Sequence, residues 1–203
     1  NRVALLEEFE GAIKAYHEVL VIRVDLYYSK DHLIEITIHD FYQHIGKLRD
    51  LITDKNGYFD ALLTYAISLE HGITKGFHVH LAFVINESKY RNDYNIAKWV
   101  IEKWQEITLG KGYGWNNNTA KNKKNYHDQG TLGIGIIRRT EPDQGNNALR
   151  TVAYLSDPEK YGQRLLIKIK DHNSYSKGKY QHHGRPIPDT AENRRIKEWD
   201  ALT

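Results

Sequence analysis

Residues 62–85, LLTYAISLEHGITKGFHVHLAFVI, decide how this chain must fold. Two apolar-rich runs, 62–71 and 77–85, flank Gly72-Ile73-Thr74-Lys75-Gly76, and a short glycine-bounded connection between strands predicts an antiparallel hairpin. Alternate residues of a strand share a face. Phe77, Val79, Leu81 and Phe83 therefore point to a core, while His78 and His80 stand together on the other side. In the first strand the apolar set is Tyr65, Ile67 and Leu69, which leaves Ala66, Ser68 and Glu70 on the opposite face. Any register that joins the two apolar sets in one core puts Glu70 beside the histidines, and pairing Leu69 with Val79 sets Glu70 directly across from His78.

The same parity extends to VLVIRVDLYY (19–28), a strand with Leu20, Ile22, Val24 and Leu26 inward and Arg23, Asp25 and Tyr27 on the histidine side. Glycines 133 and 135 of a further strand, TLGIGIIR (131–138), are expected on that side too, leaving room for a close approach. Helices are predicted over 2–17, over 39–53 with Phe41, Ile45, Leu48 and Ile52 in step, and from Ile96 to Leu109 behind the cap pair Asn92-Asp93. Another runs from Asn146 or Asn147 to about Ser156, ahead of Pro158. Residues 110–130, GKGYGWNNNTAKNKKNYHDQG, lack periodicity and read as a functional or disordered loop. A strand over 164–170 and a short helix near Ala191–Leu202 complete the reading. The order predicts one α+β domain, residues 1–170, with a central antiparallel sheet and helices on one face of it, then a basic extension over 171–203.

Composition excludes several functions. The 203 residues contain no cysteine, so a disulfide scaffold, a thiolate zinc site and a cysteine nucleophile are all ruled out. No apolar run approaches the roughly 18 residues of a membrane span. The opening NRVALLEE does not read as a signal peptide, so a soluble, cytoplasmic protein is expected. The net charge of +3 divides into −4 over residues 1–110 and +7 over 111–203, which points to an anionic partner met on one side.

Two imidazoles and a carboxylate with open coordination positions suit Mn²⁺, Mg²⁺ or Zn²⁺ acting as a Lewis acid. The bland alternative is a pair of ordinary histidines on a solvated sheet face. A nucleophile for such a centre has to be something other than cysteine, and a tyrosine phenolate can form a covalent phosphoester. On the helix NALRTVAYL (147–155), Ala148, Val152 and Leu155 make the buried stripe, whereas Tyr154 lies off it, aligned with Arg150 and Asn147. Tyr154 is the first candidate and Tyr161 the reserve. Lys111, Lys121, Lys123, Lys124, Arg138 and Arg139, interleaved with Tyr113, Trp115 and Tyr126, offer cations for phosphates and rings for unstacked bases.

These features together resemble the HUH endonucleases, the replication initiators, relaxases and transposases that nick single-stranded DNA. More narrowly, VIRVDLYY (21–28), YAISLEHGITKGFHVHLAFVIN (65–86), the Trp104 helix and RTVAYLSDPEKYG (150–162) are similar to the filamentous-phage (inovirus) replication proteins. The resemblance implies an HUH/RRM-like sheet, Glu70, His78 and His80 as ligands of Mn²⁺ or Mg²⁺, and Tyr154 as the nucleophile. It also implies rolling-circle replication on single-stranded DNA or an origin hairpin, with no membrane partner. The family usually carries a lysine three residues after the tyrosine; Asp157 stands there, and Lys160 is the substitute, with Arg150 as the second cation. The alternative expectation is a non-catalytic single-strand-binding or regulatory protein on the same fold.

Overall fold

A computed structural model describes residues 2–156 and 175–179. The order is α1 (Arg2–Ala15), β1 (Glu18–Tyr28), α2 (Ile38–Thr53), β2 (Leu62–Gly72), β3 (Gly76–Asn86), α3 (Asp93–Ile107), β4 (Gly112–Asn116), α4 (Ala120–Asp128), β5 (Gly135–Arg138), α5 (Pro142–Ala153) and β6 (Tyr175–Lys177). All pairings are antiparallel, in the order β4-β1-β3-β2-β6, with β5 also on β1. The fold is α+β, a six-stranded antiparallel sheet with five flanking helices. β6 falls in the segment expected as a C-terminal extension and lies against β2. The strand expected at 164–170 and the helix near Ala191–Leu202 lie outside the described residues.

Local signals explain the boundaries of α2 and α3 that position the core. Thr37 and Asp40 close a reciprocal capping box at the start of α2, and the Asn92 side chain accepts from Asn95 N–H at the start of α3. Positive φ at Leu109 and Gly110 turns the chain out of α3. One face of the sheet packs β1 (Leu20, Ile22, Val24, Leu26) and β3 (Val79, Leu81, Phe83) against Phe41, Ile45 and Leu48 of α2 and Val100 and Trp104 of α3.

Helices cover both faces, which corrects the one-sided arrangement expected above. The second face is divided along its length. At one end it presents Val19, Val21, Ala66, Ala82 and Val84, and this dry patch packs against Leu5, Phe9, Ala12 and Ile13 of α1 and Ala148 and Val152 of α5. At the other end the same strands present Arg23, Asp25 and Tyr27, Ser68 and Glu70, and His78 and His80. Small Ala66 and Ala82 let the helices approach over the dry half, and the polar half is where helix cover stops.

The segment expected as a loop, 110–130, holds β4 and α4. β4 pairs with β1 over Val24–Tyr28, and β5 pairs with the same strand over Glu18–Val21. The gap between them is spliced by Asn118, whose side chain accepts from Arg23 N–H (2.9 Å) and donates to Val21 O (3.1 Å) and to Asp93 (2.8 Å). The asparagine run is thus a structural joint made by its side chains, invisible to periodicity. The strand expected over 131–138 is shorter: only Gly135–Arg138 pairs. A Cβ at Gly133 would collide with the Asn147 carbonyl, and Gly135 has φ +86° with Asp93 and Lys123 beside it. The approach these glycines permit is therefore made by the protein itself. α5 begins with Pro142 in its first turn, four to five residues before the start expected at Asn146 or Asn147, and Asn147 donates to Gly130 O (3.0 Å) from within it.

Phe9 is fully buried between α1 and the dry half. Phe9→Ala should lower unfolding free energy by about 3–5 kcal/mol, read as a shift in the denaturant midpoint at unchanged slope.

Candidate functional site

The hairpin register is Leu69 opposite Val79, which sets Glu70 opposite His78 and Ser68 opposite His80. On β1, Asp25 is the partner of His80. Four side chains thereby meet on the polar half of the second face, and all are buried: Asp25, Glu70, His78 and His80.

Their hydrogen bonds fix which atoms look inward. Nδ1 of His78 lies 3.0 Å from the Gly76 carbonyl and Nδ1 of His80 lies 2.6 Å from Asp25 Oδ1, so each Nδ1 is the protonated donor. Ser68 Oγ donates to Glu70 Oε1 at 3.3 Å. Glu70 Oε2 then sits 3.4 Å from Nε2 of both histidines. His78 Nε2 makes no hydrogen bond among the described residues. In the neutral tautomers these three atoms are all acceptors, lie within 4.8 Å of one another and are held out of water. Such a cluster requires a positive charge at its centre, either a proton or a cation. Glu70, His78 and His80 could hold a metal ion, and hard carboxylate with borderline imidazole suits a divalent one.

Asp25 forms the outer layer. Its Oδ1 accepts from His80, its Oδ2 accepts from Asn117 Nδ2 (3.1 Å), and Arg23 Nε lies 3.6 Å away. A carboxylate on the far nitrogen of a ligand histidine fixes its ring and raises its basicity. Burial alone would raise Asp25's pKa, but the hydrogen bond and charge of His80, helped by Arg23 and Asn117, lower it overall. Burial alone would make His80 less basic, yet Asp25 and Glu70 outweigh it and raise His80 above the ordinary value of 6.5. Tyr27 stacks on His78 (centroids 5.7 Å apart) and is buried enough, with Asp25 nearby, for its phenol to be pushed far above the usual range.

Tyr154 follows the last turn of α5, at the boundary between the dry and polar halves. Its ring lies 6.3 Å from the His80 ring, and the Arg23 guanidinium sits over it at 5.0 Å. Tyr154 is 45% exposed, while its helix neighbours Ala148, Val152 and Leu155 are buried. Tyr154, Arg150, Asn147, Arg23, Asn117 and Tyr126 line one cavity of about 270 Å³. The structure therefore brings together Glu70, His78, His80 and Tyr154, and sets Arg150 beside Tyr154 in the cavity. Lys160, Asp157 and Tyr161 lie outside the described residues.

The basic residues scatter instead of forming one patch. Lys111 pairs with Glu35 (3.0 Å), Lys123 with buried Asp93 (2.9 Å) and Lys124 with Asp128 (2.6 Å). Arg138 pairs with Glu18 (2.7 Å), and Arg139 bonds His17 O through its backbone, at the opposite end of β1 from the centre. That separation is roughly 23 Å at the rise of an extended strand. Lys121 is exposed on α4. Trp115, by contrast, is paired with Asp25 and shares the face of the centre. Sequence reading placed Arg23 and Asp25 on the correct face without giving them partners. It missed Asn117 altogether, since its contact crosses from an aperiodic segment.

Residues 4–165 match the YagK/YfjJ C-terminal domain, and the chain belongs to that family. No curated protein and no solved structure matches it. No helix among the described residues is long and apolar enough to cross a membrane.

Two outcomes are expected for cation binding. Protons compete for His80 Nε2, and because that imidazole's pKa is raised, Mn²⁺ affinity should climb as pH rises through and beyond 6.5. Without the cation, protonated His80 stabilises the fold below 6.5, and that contribution is lost as pH rises through its raised value. The Mn²⁺-induced increase in Tm should therefore grow with pH. Asp25→Asn should weaken Mn²⁺ binding by roughly 10- to 100-fold in calorimetric titration.

Proposed function

We propose that this protein is a metal-dependent endonuclease and strand transferase that nicks single-stranded DNA through a 5′-phosphotyrosyl intermediate and so initiates rolling-circle replication. The observation that carries the reading is the convergence of Glu70 Oε2 and the two histidine Nε2 atoms beside the Tyr154 ring. The resemblance of the hairpin and the tyrosine helix to HUH replication proteins points the same way. Mn²⁺ or Mg²⁺ is the proposed cation, with Zn²⁺ the other candidate, and when bound it would polarise a non-bridging oxygen of the scissile phosphate.

The protein's own residues supply the rest. Tyr154 Oη forms a new bond to phosphorus as its proton leaves. The P–O3′ bond breaks, and the departing 3′-oxygen takes up a proton to become a hydroxyl. One phosphodiester is exchanged for another, so the released 3′-hydroxyl can reverse the step without an external energy source. Tyr154 is the more accessible phenol: it is exposed and lines the cavity, whereas Tyr27 is stacked between His78 and Tyr113. Arg23 lies over the Tyr154 ring, and Arg150 lines the same cavity, so both are cations available to the attacking oxygen. Arg23 can serve in place of the lysine that the HUH replication proteins usually carry, because a guanidinium favours both phenolate and phosphate.

Exposed rings beside the centre favour a second reading, a non-catalytic single-strand-binding or regulatory protein on the same fold. Covalent chemistry separates the two. With Mn²⁺ and single-stranded oligonucleotides spanning the DNA around its own gene, the native protein should yield a DNA adduct that survives denaturing electrophoresis. Tyr154→Phe and His80→Ala should abolish it, and Arg23→Ala should slow its formation roughly 100-fold. Binding without any adduct supports the second reading.

A further inference from the structure

The edge strand β4, Gly112-Tyr113-Gly114-Trp115-Asn116, is built inside out. A half-buried strand normally turns its large apolar side chains to the core. Here the inward positions are glycines, pressed against α3: a Cβ at Gly112 would come within 2.5 Å of Trp104 Nε1, and one at Gly114 within 2.5 Å of Ile101 Cγ1. The rings point the other way, with Tyr113 45% and Trp115 57% exposed. Leaving both rings out of the core forgoes apolar burial that the sheet could otherwise use.

Register places these rings beside the candidate centre. Tyr113 pairs with Tyr27 and Trp115 with Asp25, and directly opposed residues share a face. Tyr113 stacks on Tyr27 (5.3 Å, 22°), and Tyr27 stacks on His78 (5.7 Å, 17°). A ladder of near-parallel rings thus runs from a metal-site histidine to the edge of the sheet. The Lys75 ammonium lies 5.7 Å from the Tyr27 ring, adding a cation beside that ladder.

We propose that Tyr113 and Trp115 form a stacking platform for unpaired nucleobases flanking the phosphodiester held at the Glu70-His78-His80 centre. The proposal rests on the reading of that centre as one that acts on nucleic acid, and it specifies the form of the substrate. Flat, exposed rings accept the π-face of any base, so the platform tolerates many sequences. In a duplex those faces are already covered by neighbouring pairs. The platform therefore selects single strands, by contact with bases in place of a dense cation patch, consistent with the ion pairs that already engage Lys111, Lys123, Lys124 and Arg138.

The test uses the full chain in EDTA, so that binding is measured apart from cation chemistry. A fluorescent oligothymidylate is titrated as a single strand and as its duplex with oligodeoxyadenylate. The native protein should favour the single strand. Trp115→Ala and Tyr113→Ala should each weaken single-strand binding roughly five- to a hundredfold, while Trp115→Phe, which keeps a ring, should retain most of it. Circular dichroism reports whether each variant is folded, and Trp115→Phe keeps the test decisive if an alanine variant is not. Equal affinity for duplex and single strand overturns the proposal. So do folded alanine variants that bind like the native protein, or a phenylalanine variant as weak as the alanine one. Loss of adduct formation with single-strand preference intact would overturn the nicking reading alone.

Discussion

The pairing of Leu69 with Val79 is the constraint from which the rest of the architecture follows. Both side chains are buried in the larger core, so a slip by one residue would turn one strand's apolar row to the polar side. The same slip would separate Glu70 from His78 and His80. Core energetics and ligand placement are therefore set by one register. The centre itself, three acceptors out of water, opposes folding when it holds neither a proton nor a cation. The hydrophobic hairpin that carries it is what makes that arrangement tolerable.

The division of the sheet's second face accounts for the position of Tyr154. Val19 and Val21 give way to Arg23 and Asp25 along a single strand, and Val84 and Ala82 give way to His80 and His78 along its neighbour. α5 can dock only where the surface is dry, through Ala148 and Val152. Its last turn therefore ends at the border, and the next residue is delivered beside His80. A helix displaced by one turn, about 5.4 Å, would carry the phenol out of ring contact.

Much of this was legible in the residues. Period-two alternation in 19–28 and 62–85 gave the strands, their faces and the Glu70-His78-His80 grouping, because side-chain parity survives any uncertainty about distant packing. The capping residue Asn92 and the stop at Gly110 act locally, so α3 is bounded closely. The second helical layer was harder to see. Val19, Val21, Ala82 and Val84 carried its signal, but they share strand faces with charged residues and dilute the alternation. β4 was hidden because its glycines face inward and its rings outward, the reverse of the usual pattern. Asn117 and Asn118 act through long-range side-chain bonds that leave no periodic trace, and the basic residues of 111–139 gave a net charge without revealing that acids already engage four of them.

Asp25, Glu70, His78 and His80 all ride on β1, β2 and β3, the rigid middle of the sheet, whereas Tyr154 rides on the terminus of a separately docked helix. The two halves of the proposed machinery ride on different elements and meet at Arg23, which lies over the Tyr154 ring and 3.6 Å from Asp25. Loosening α5 would move the phenol first and reach Glu70, His78 and His80 only through Arg23 and Asp25, so in the proposed scheme reactivity and cation binding depend most directly on different parts of the chain. On the proposed reading, a relative without a phenol at this helix end would for that reason still keep its Glu70-His78-His80 grouping intact.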